Sequence, residues 1–237
     1  MRFDSFASSS GGNAYLLSDE RTRVLIECGL GPKKLLQAVG FRLTELDGCL
    51  VSHEHKDHCK GLESVIKAGV PTWLSQGTAR ALGLPEAILD MANEMEAGAQ
   101  FSIGSMSVLP FQVYHDAEEP LGFVIQSLAD GEIFAFAIDT VNIPYNFPGV
   151  NLLAVEANFQ QDILDRCERM PEKTRQRISN THMEIDRLCA CLGRMDLSRC
   201  REIYLLHLSS ATSHEGHFIN KVRRAVPGWV HITACPR

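Results

Sequence analysis

The sequence lacks the features of a secreted scaffold, a membrane protein or a nucleic-acid coat. No apolar run approaches the roughly 20 residues that cross a bilayer, and Met1–Ser10 has no apolar core of the kind an export signal carries. A cytoplasmic chain with no membrane partner is the expectation. Eight cysteines are scattered over 237 residues without a Cys-x-x-Cys, which favours reduced thiols over a disulfide framework. The closest pair, Cys189 and Cys191, reads as helix surface and core edge. Aromatics are 7% of the chain and form no stripe interleaved with basic residues, so a stacking platform for long single strands is excluded. Repeats, low-complexity tracts and linkers that would split the chain are also missing.

What is present fits one globular domain over residues 1–237, with 45% hydrophobic and 22% charged residues. The net charge of −6 argues against coating long nucleic acid. Between Asp165 and Arg201, however, nine Lys/Arg face six Asp/Glu, a local positive excess. About ten apolar runs read as strands: Ala14–Leu17, Arg23–Glu27, Gly48–Ser52, Thr72–Ser75, Ser107–Val113, Gly122–Ser127, Ile133–Ile138, Leu152–Glu156, Glu202–Leu206 and Val230–Ala234. Helical patterns fit Pro32–Val39, Gly61–Ala68, Gln76–Leu82, Pro85–Met91, Phe159–Met170, Glu184–Leu192 and Glu215–Ala225. Strands and helices interleave, which predicts a layered α/β class. Ser8–Asn13 is turn-rich; it is either a plain turn or a loop whose amides meet an anion.

The strongest local signal is His53-Glu54-His55-Lys56-Asp57-His58, directly after the apolar run Cys49–Ser52. His53 and His55 are two apart at a strand end and can point the same way, while Asp57 and His58 lie beyond the turn. Imidazoles suit zinc and similar ions, and a carboxylate beside a second ion suits a two-metal hydrolase. Two ions need more ligands than one loop supplies. His115, Asp139 and His207 each follow another predicted strand and complete a seven-residue set.

This ordered set resembles the metallo-β-lactamase superfamily over nearly the whole chain. The resemblance implies a four-layer αββα sandwich with two divalent metal ions, zinc or manganese being expected. His53, His55 and His115 would hold the first ion, Asp57, His58 and His207 the second, and Asp139 both, with a bridging hydroxide as nucleophile. One departure is Glu27-Cys28-Gly29, where the family usually has Asp before Gly. Glu27 either orients a ligand from behind or is a plain strand-end carboxylate.

Asp57 and Asp139, with no cysteine in the set, resemble the phosphodiesterase and glyoxalase II-like branches. Glu156, with Thr181-His182 further on, resembles the Glu…His pair of tRNA-processing phosphodiesterases. There the His protonates the leaving oxygen and the Glu supports it; Asp57, Glu156 and His182 are the catalytic candidates. Ser8–Asn13, Gly29-Leu30 with Lys33–Leu36, His115–Gly122, Glu156-Ala157-Asn158 and His207-Leu208-Ser209 resemble the small YycJ/WalJ-like exonucleases. In that group a basic run precedes the His. Arg175-Gln176-Arg177-Ile178 takes its place here, so Arg175 and Arg177 are either phosphate contacts or a solvated face. The group's Gly-His-Leu-Ser-Asn becomes Thr181-His182-Met183-Glu184-Ile185, with only the His kept.

The expected function is therefore a metal-dependent phosphodiesterase acting on nucleic-acid ends, oligonucleotides or a cyclic phosphodiester. The alternatives are a small-molecule hydrolase, either a cyclic phosphodiesterase or a thioesterase, and a metal-binding interaction protein without catalysis. A homodimer is left open. His214 and His217 are expected at the surface.

Overall fold

A computed structural model describes residues 1–40 and 42–237. They form two compact units. One comprises Met1–Gln112, Ala117–Glu132 and Pro236–Arg237; the other comprises Val113–Asp116 and Ile133–Cys235.

The first unit carries the strands β1 (Arg2–Ser9), β2 (Gly12–Ser18) and β3 (Arg23–Ile26), the helix α1 (Pro32–Ala38), β4 (Gly48–Leu50), α2 (Lys56–Cys59), α3 (Leu62–Lys67), β5 (Thr72–Leu74), α4 (Gln76–Leu82), α5 (Glu86–Leu89) and β6 (Asn93–Glu94). Strands β1 to β6 pair in chain order. The first two pairings are antiparallel, and from β3 onward they are parallel. Three further strands, β7 (Phe101–Ile103), β8 (Met106–Gln112) and β9 (Leu121–Ser127), follow as an antiparallel run. Apolar residues of β2 to β4, α1, α3 and the stretch just after β4 make the core, including Leu25, Cys49, Val51, Leu35, Leu62 and Val65. Helix α4 starts where Ser75 Oγ accepts from Thr78 N at 3.1 Å and stops at Gly83, whose φ of +60° suits glycine.

The second unit holds β10 (Ile133–Ala137), β11 (Leu152–Glu156), α6 (Gln161–Asp165), α7 (Glu172–Thr181), α8 (Ile185–Leu192), β12 (Glu202–Leu206), α9 (Glu215–Ala225) and β13 (His231–Ala234). All four strands run parallel. Every residue of β11 is buried, as expected of a parallel strand covered on both faces. Helix α8 buries Ile185, Leu188, Cys191 and Leu192, a stripe at helical spacing. Its start is capped by Glu184, whose carboxylate accepts from Asp186 N and Arg187 N at 2.7 and 2.9 Å.

All ten predicted strands are present, Leu152–Glu156 and Glu202–Leu206 with the expected bounds and the others with shifted ends. The described residues add β1, β6 and β7, which are short or too polar to stand out. The expected helix over Phe159–Met170 is shorter, α6, and a separate helix, α7, follows with Pro171 as its N-cap. That helix is polar and was not visible as an apolar period.

Candidate metal centre

In the first unit, β4 ends at Leu50 and the chain continues through Val51 and Ser52 into the His53–His58 loop. His53 and His58 are buried; their rings lie 4.1 Å apart, and His53 and His55 lie 4.7 Å apart. The neighbouring strand β3 runs parallel, with Ile26 opposite Leu50, so Glu27 emerges beside the start of the loop. Its backbone takes φ +64°, a left-handed value that costs a non-glycine residue roughly 1–2 kcal/mol. Glu27 Oε1 accepts from Ser52 N at 3.2 Å, and Oε2 lies 3.4 Å from His58 Nδ1. Glu27 therefore lies beside His58. Gly29 lets this happen: a Cβ there would lie 1.6 Å from the Asp57 carbonyl oxygen. Glu54, the loop's other carboxylate, accepts from Glu118 N at 2.8 Å.

In the second unit the donors come from strand ends. Registers Ala137↔Val155 and Glu156↔Leu206 bring the ends of β10, β11 and β12 level, which sets Asp139, Glu156 and His207 side by side. Asp139 and His207 have φ of +45° and +53°; with Glu27 they are the positive-φ non-glycine residues among those described. Backbone strain in this molecule is thus concentrated at the predicted ligand positions and their support, a pattern typical of functional sites. His115 Nδ1 donates to the Thr181 carbonyl at 2.8 Å, which leaves Nε2 as the acceptor nitrogen, 3.4 Å from Asp139 Oδ2. His207 Nδ1 lies 3.3 Å from Asp139 Oδ1. Asn158 Nδ2 donates to the His207 carbonyl at 2.9 Å and lies 3.0 Å from its Nδ1.

Glu156 and His182 meet here. His182 closes α7, and its Nδ1 is 2.6 Å from Glu156 Oε1. Glu156 Oε2 accepts from Thr140 N and Met183 N at 2.9 and 3.0 Å, so the carboxylate is held on both oxygens. Burial alone would discharge His182, but the charges of Glu156 and Asp139 outweigh it and its pKa is raised. Burial likewise pushes Glu156 up, and the opposing His182 charge and hydrogen bond leave it below the usual carboxylate value. At His115 burial wins over Asp139, and the pKa falls.

The donor set fits divalent ions. One donor atom each from Asp139, Glu156, His182 and His207 lies within 4.8 Å of the others, all four residues being buried. Two buried carboxylates facing imidazole nitrogens gain most from a cation among them. The loop of the first unit offers the same chemistry, with Asp57 Oδ2 and His58 Nε2 3.4 Å apart.

The two arginines are engaged inside the second unit. Arg175 Nη1 donates to the carbonyls of Cys167 and Met170 at 3.1 and 2.9 Å. Arg177 makes a bidentate pair with Asp116, Nε and Nη2 donating at 2.6 and 2.9 Å. His214 caps α9 by accepting from His217 N at 3.3 Å, and both histidines are exposed. Sequence reasoning passed over Asp116 as the partner of Arg177, and Thr181 as the group that orients His115. The adjacency of Asp116 to a predicted ligand was the available signal for the former; the latter, a backbone carbonyl, leaves none.

Residues 22–208 match the beta-lactamase superfamily domain. The chain is 27% identical over 224 residues to exodeoxyribonuclease WalJ of Streptococcus pneumoniae serotype 2, covering 88% of this chain and 81% of that one. Exodeoxyribonuclease YycJ of Bacillus anthracis is 27% identical over 221 residues, covering 88% and 83%. Among solved structures, the metallo-β-lactamase fold protein YhfI of Bacillus subtilis superposes with a TM-score of 0.71 at 14% identity, covering 99% of this chain and 95% of that one. The α/β class and the αββα metallo-β-lactamase fold expected from the sequence are the fold of this chain.

Proposed function

We propose that this chain, which belongs to the β-lactamase superfamily, is a metal-dependent phosphodiesterase that hydrolyses nucleic-acid ends or short oligonucleotides. The observation that carries the proposal is the buried Glu156–His182 pair. A thiolate leaving a thioester is a stable anion and gains little from a strong proton donor at this position, whereas an alkoxide leaving phosphorus needs one. Two relatives matching 88% of the chain bear the name exodeoxyribonuclease, which supports nucleic acid as the substrate class.

In this reading His53, His55, Asp57, His58, His115, Asp139 and His207 would hold two divalent ions. Such ions, when bound, lower the pKa of water and offset charge on the phosphoryl oxygens. Against the effect of burial, Glu156 and Asp139 favour the imidazolium of His182 and raise its pKa. With Nδ1 held by Glu156, Nε2 delivers its proton to the leaving oxygen as the P–O bond breaks. His182 ends neutral and Glu156 stays ionised. Glu156 fixes the ring and does not itself transfer the proton. Of the two arginines, Arg177 is the phosphate contact: its guanidinium is half exposed in its pair with Asp116, whereas Arg175 ties the turn before α7.

The test is to incubate zinc- and manganese-loaded protein with a simple phosphodiester, end-labelled DNA and RNA, cyclic nucleotides and a glutathione thioester. Release of mononucleotides from DNA or RNA ends is expected. Cleavage of the thioester alone would sink the phosphodiesterase reading, and cleavage of cyclic nucleotides alone would replace nucleic acid by a small diester.

A further inference from the structure

We infer that Asn13 is a positioning residue of the His53–His58 loop: a buried carboxamide, aimed by Tyr15, that holds Asp57 and selects the tautomer of His58. The inference rests on the proposed metal reading and extends it to a residue from a distant strand.

Asn13 lies near the start of β2 and is fully buried, as are Ser8 and Tyr15. Its Nδ2 lies 3.2 Å from the Asp57 carbonyl oxygen, 3.4 Å from Asp57 Oδ2 and 3.2 Å from His58 Nε2. The amide orientation follows from the acceptors around it. Turning it over would put Oδ1 against two oxygens of Asp57, both acceptors, at hydrogen-bond range. Nδ2 therefore faces the loop and Oδ1 faces away, where the Tyr15 hydroxyl donates to it at 3.0 Å. Tyr15 has one proton, so Ser8 Oγ, 2.6 Å from the same hydroxyl, is the donor in that contact. A directed chain results: Ser8 to Tyr15, Tyr15 to Asn13, Asn13 to the loop. A phenol held at both ends also limits rotation of the amide.

The consequence for His58 is a fixed tautomer. An amide nitrogen can only donate, so the ring nitrogen that faces it, Nε2, presents a lone pair. The proton then sits on Nδ1, opposite Glu27 Oε2 at 3.4 Å. In the metal-free protein Asn13 and Glu27 thus act on the two nitrogens of one ring from two strands, and both leave Nε2 unprotonated; its single lone pair would pass from the Asn13 N–H to an ion, while Asn13 keeps its contacts to Asp57. The same amide steadies Asp57, whose carboxylate lies 3.4 Å from Nε2. The backbone supports this placement, since Gly29 N donates to Asn13 O at 2.8 Å while Gly29 lies against the Asp57 carbonyl. Supporting groups of this kind change metal affinity by about 10–100-fold when removed.

The experiment compares wild type with Asn13→Asp, Asn13→Ala and Tyr15→Phe. Zinc affinity and stoichiometry are measured by competition with a chromophoric chelator, the visible spectrum of the cobalt-loaded protein is recorded, and the melting temperature of each metal-free protein is measured. Asn13→Asp is expected to weaken the second zinc by about 10–100-fold, because it sets a carboxylate against Asp57; Asn13→Ala follows, and Tyr15→Phe loses least. The cobalt spectrum should change in the same order. A role in packing alone would lower the metal-free melting temperature and leave affinity unchanged, and that result overturns the inference. Should Asn13→Asp not fold, Tyr15→Phe, which removes one oxygen, decides by the same criterion. Wild type that binds no zinc overturns the metal reading together with this inference. Two tightly held ions in wild type and in every variant overturn the inference alone.

Discussion

The two units supply their candidate site residues in opposite ways. In the first, four of them fall within six consecutive residues, and the support comes from Glu27 and Asn13 on neighbouring strands. In the second, His115, Asp139, Glu156, His182 and His207 come from five separated segments, and the parallel register of β10, β11 and β12 brings three of them level. The contrast shows two routes to a metal ligand set. A loop of alternating side chains makes one locally. A parallel sheet makes another from single residues at successive strand ends, each displayed by a backbone bend that costs local strain.

The contrast implies a division of labour. In the proposed reading the first unit would supply metal ligands only, whereas the second would supply metal ligands and the proton. Dialysis against a chelator should test the shared part with the largest effect: diester hydrolysis falls to background and returns with added zinc or manganese, as followed by product release. Next, His182→Ala should lower kcat by about 10²–10⁴-fold with metal content unchanged, while His53→Ala should lose metal. If both variants lose metal alike by elemental analysis, the division fails. Glu156→Gln keeps the size of the side chain and removes the charge that favours the imidazolium. It is expected to lower kcat by about 10–100-fold and to shift the alkaline limb, on which His182 loses its proton, to lower pH in a pH–rate profile.

Smaller effects separate structure from substrate in α7. Arg175→Ala should cost about 1–2 kcal/mol in urea unfolding, since two carbonyls lose their donor. Arg177→Ala should cost at most about 1 kcal/mol, as a partly exposed pair, yet raise KM for DNA more than for a simple diester. Equal KM for both substrates would remove Arg177 from the site. The smallest effect lies away from the metal residues, at Asp19 between β2 and β3. Burial pushes this carboxyl up, but donors from Ser105, Arg21 N, Thr22 N and Ser127 outweigh burial and hold its pKa below the usual value. A depressed pKa contributes stability that is fully present above the ordinary carboxylate value and lost as pH falls through the lowered one. The stability gap between wild type and Asp19→Asn should therefore be widest near pH 7 and close on acidification, as read from urea midpoints.

The His53–His58 loop was legible because its signal is local. The apolar run of β4 and the alternation after it reveal both the strand end and the shared direction of two imidazoles. His115, Asp139 and His207 were legible for a related reason: each is a ligating residue type placed directly after a strand. Glu156 and His182 were paired only through a resemblance, because one ends a strand and the other closes a polar helix that the hydrophobic pattern does not show. Arg175 and Arg177 looked equivalent on paper. Their hydrogen bonds separate them: one ties the turn before α7, the other pairs at the surface with Asp116.

The sequence by itself determined which residues can ligate and which strand ends carry them, because residue type and an alternation of period two are properties of a short stretch of chain. The tertiary structure alone decided that Glu156 grips His182, that Asn13 and Glu27 act on opposite nitrogens of His58, and that Glu27, Asp139 and His207 bend through left-handed backbone. Each of these depends on strand register or on where a helix stops. Those are set by packing between distant segments, which no local pattern encodes.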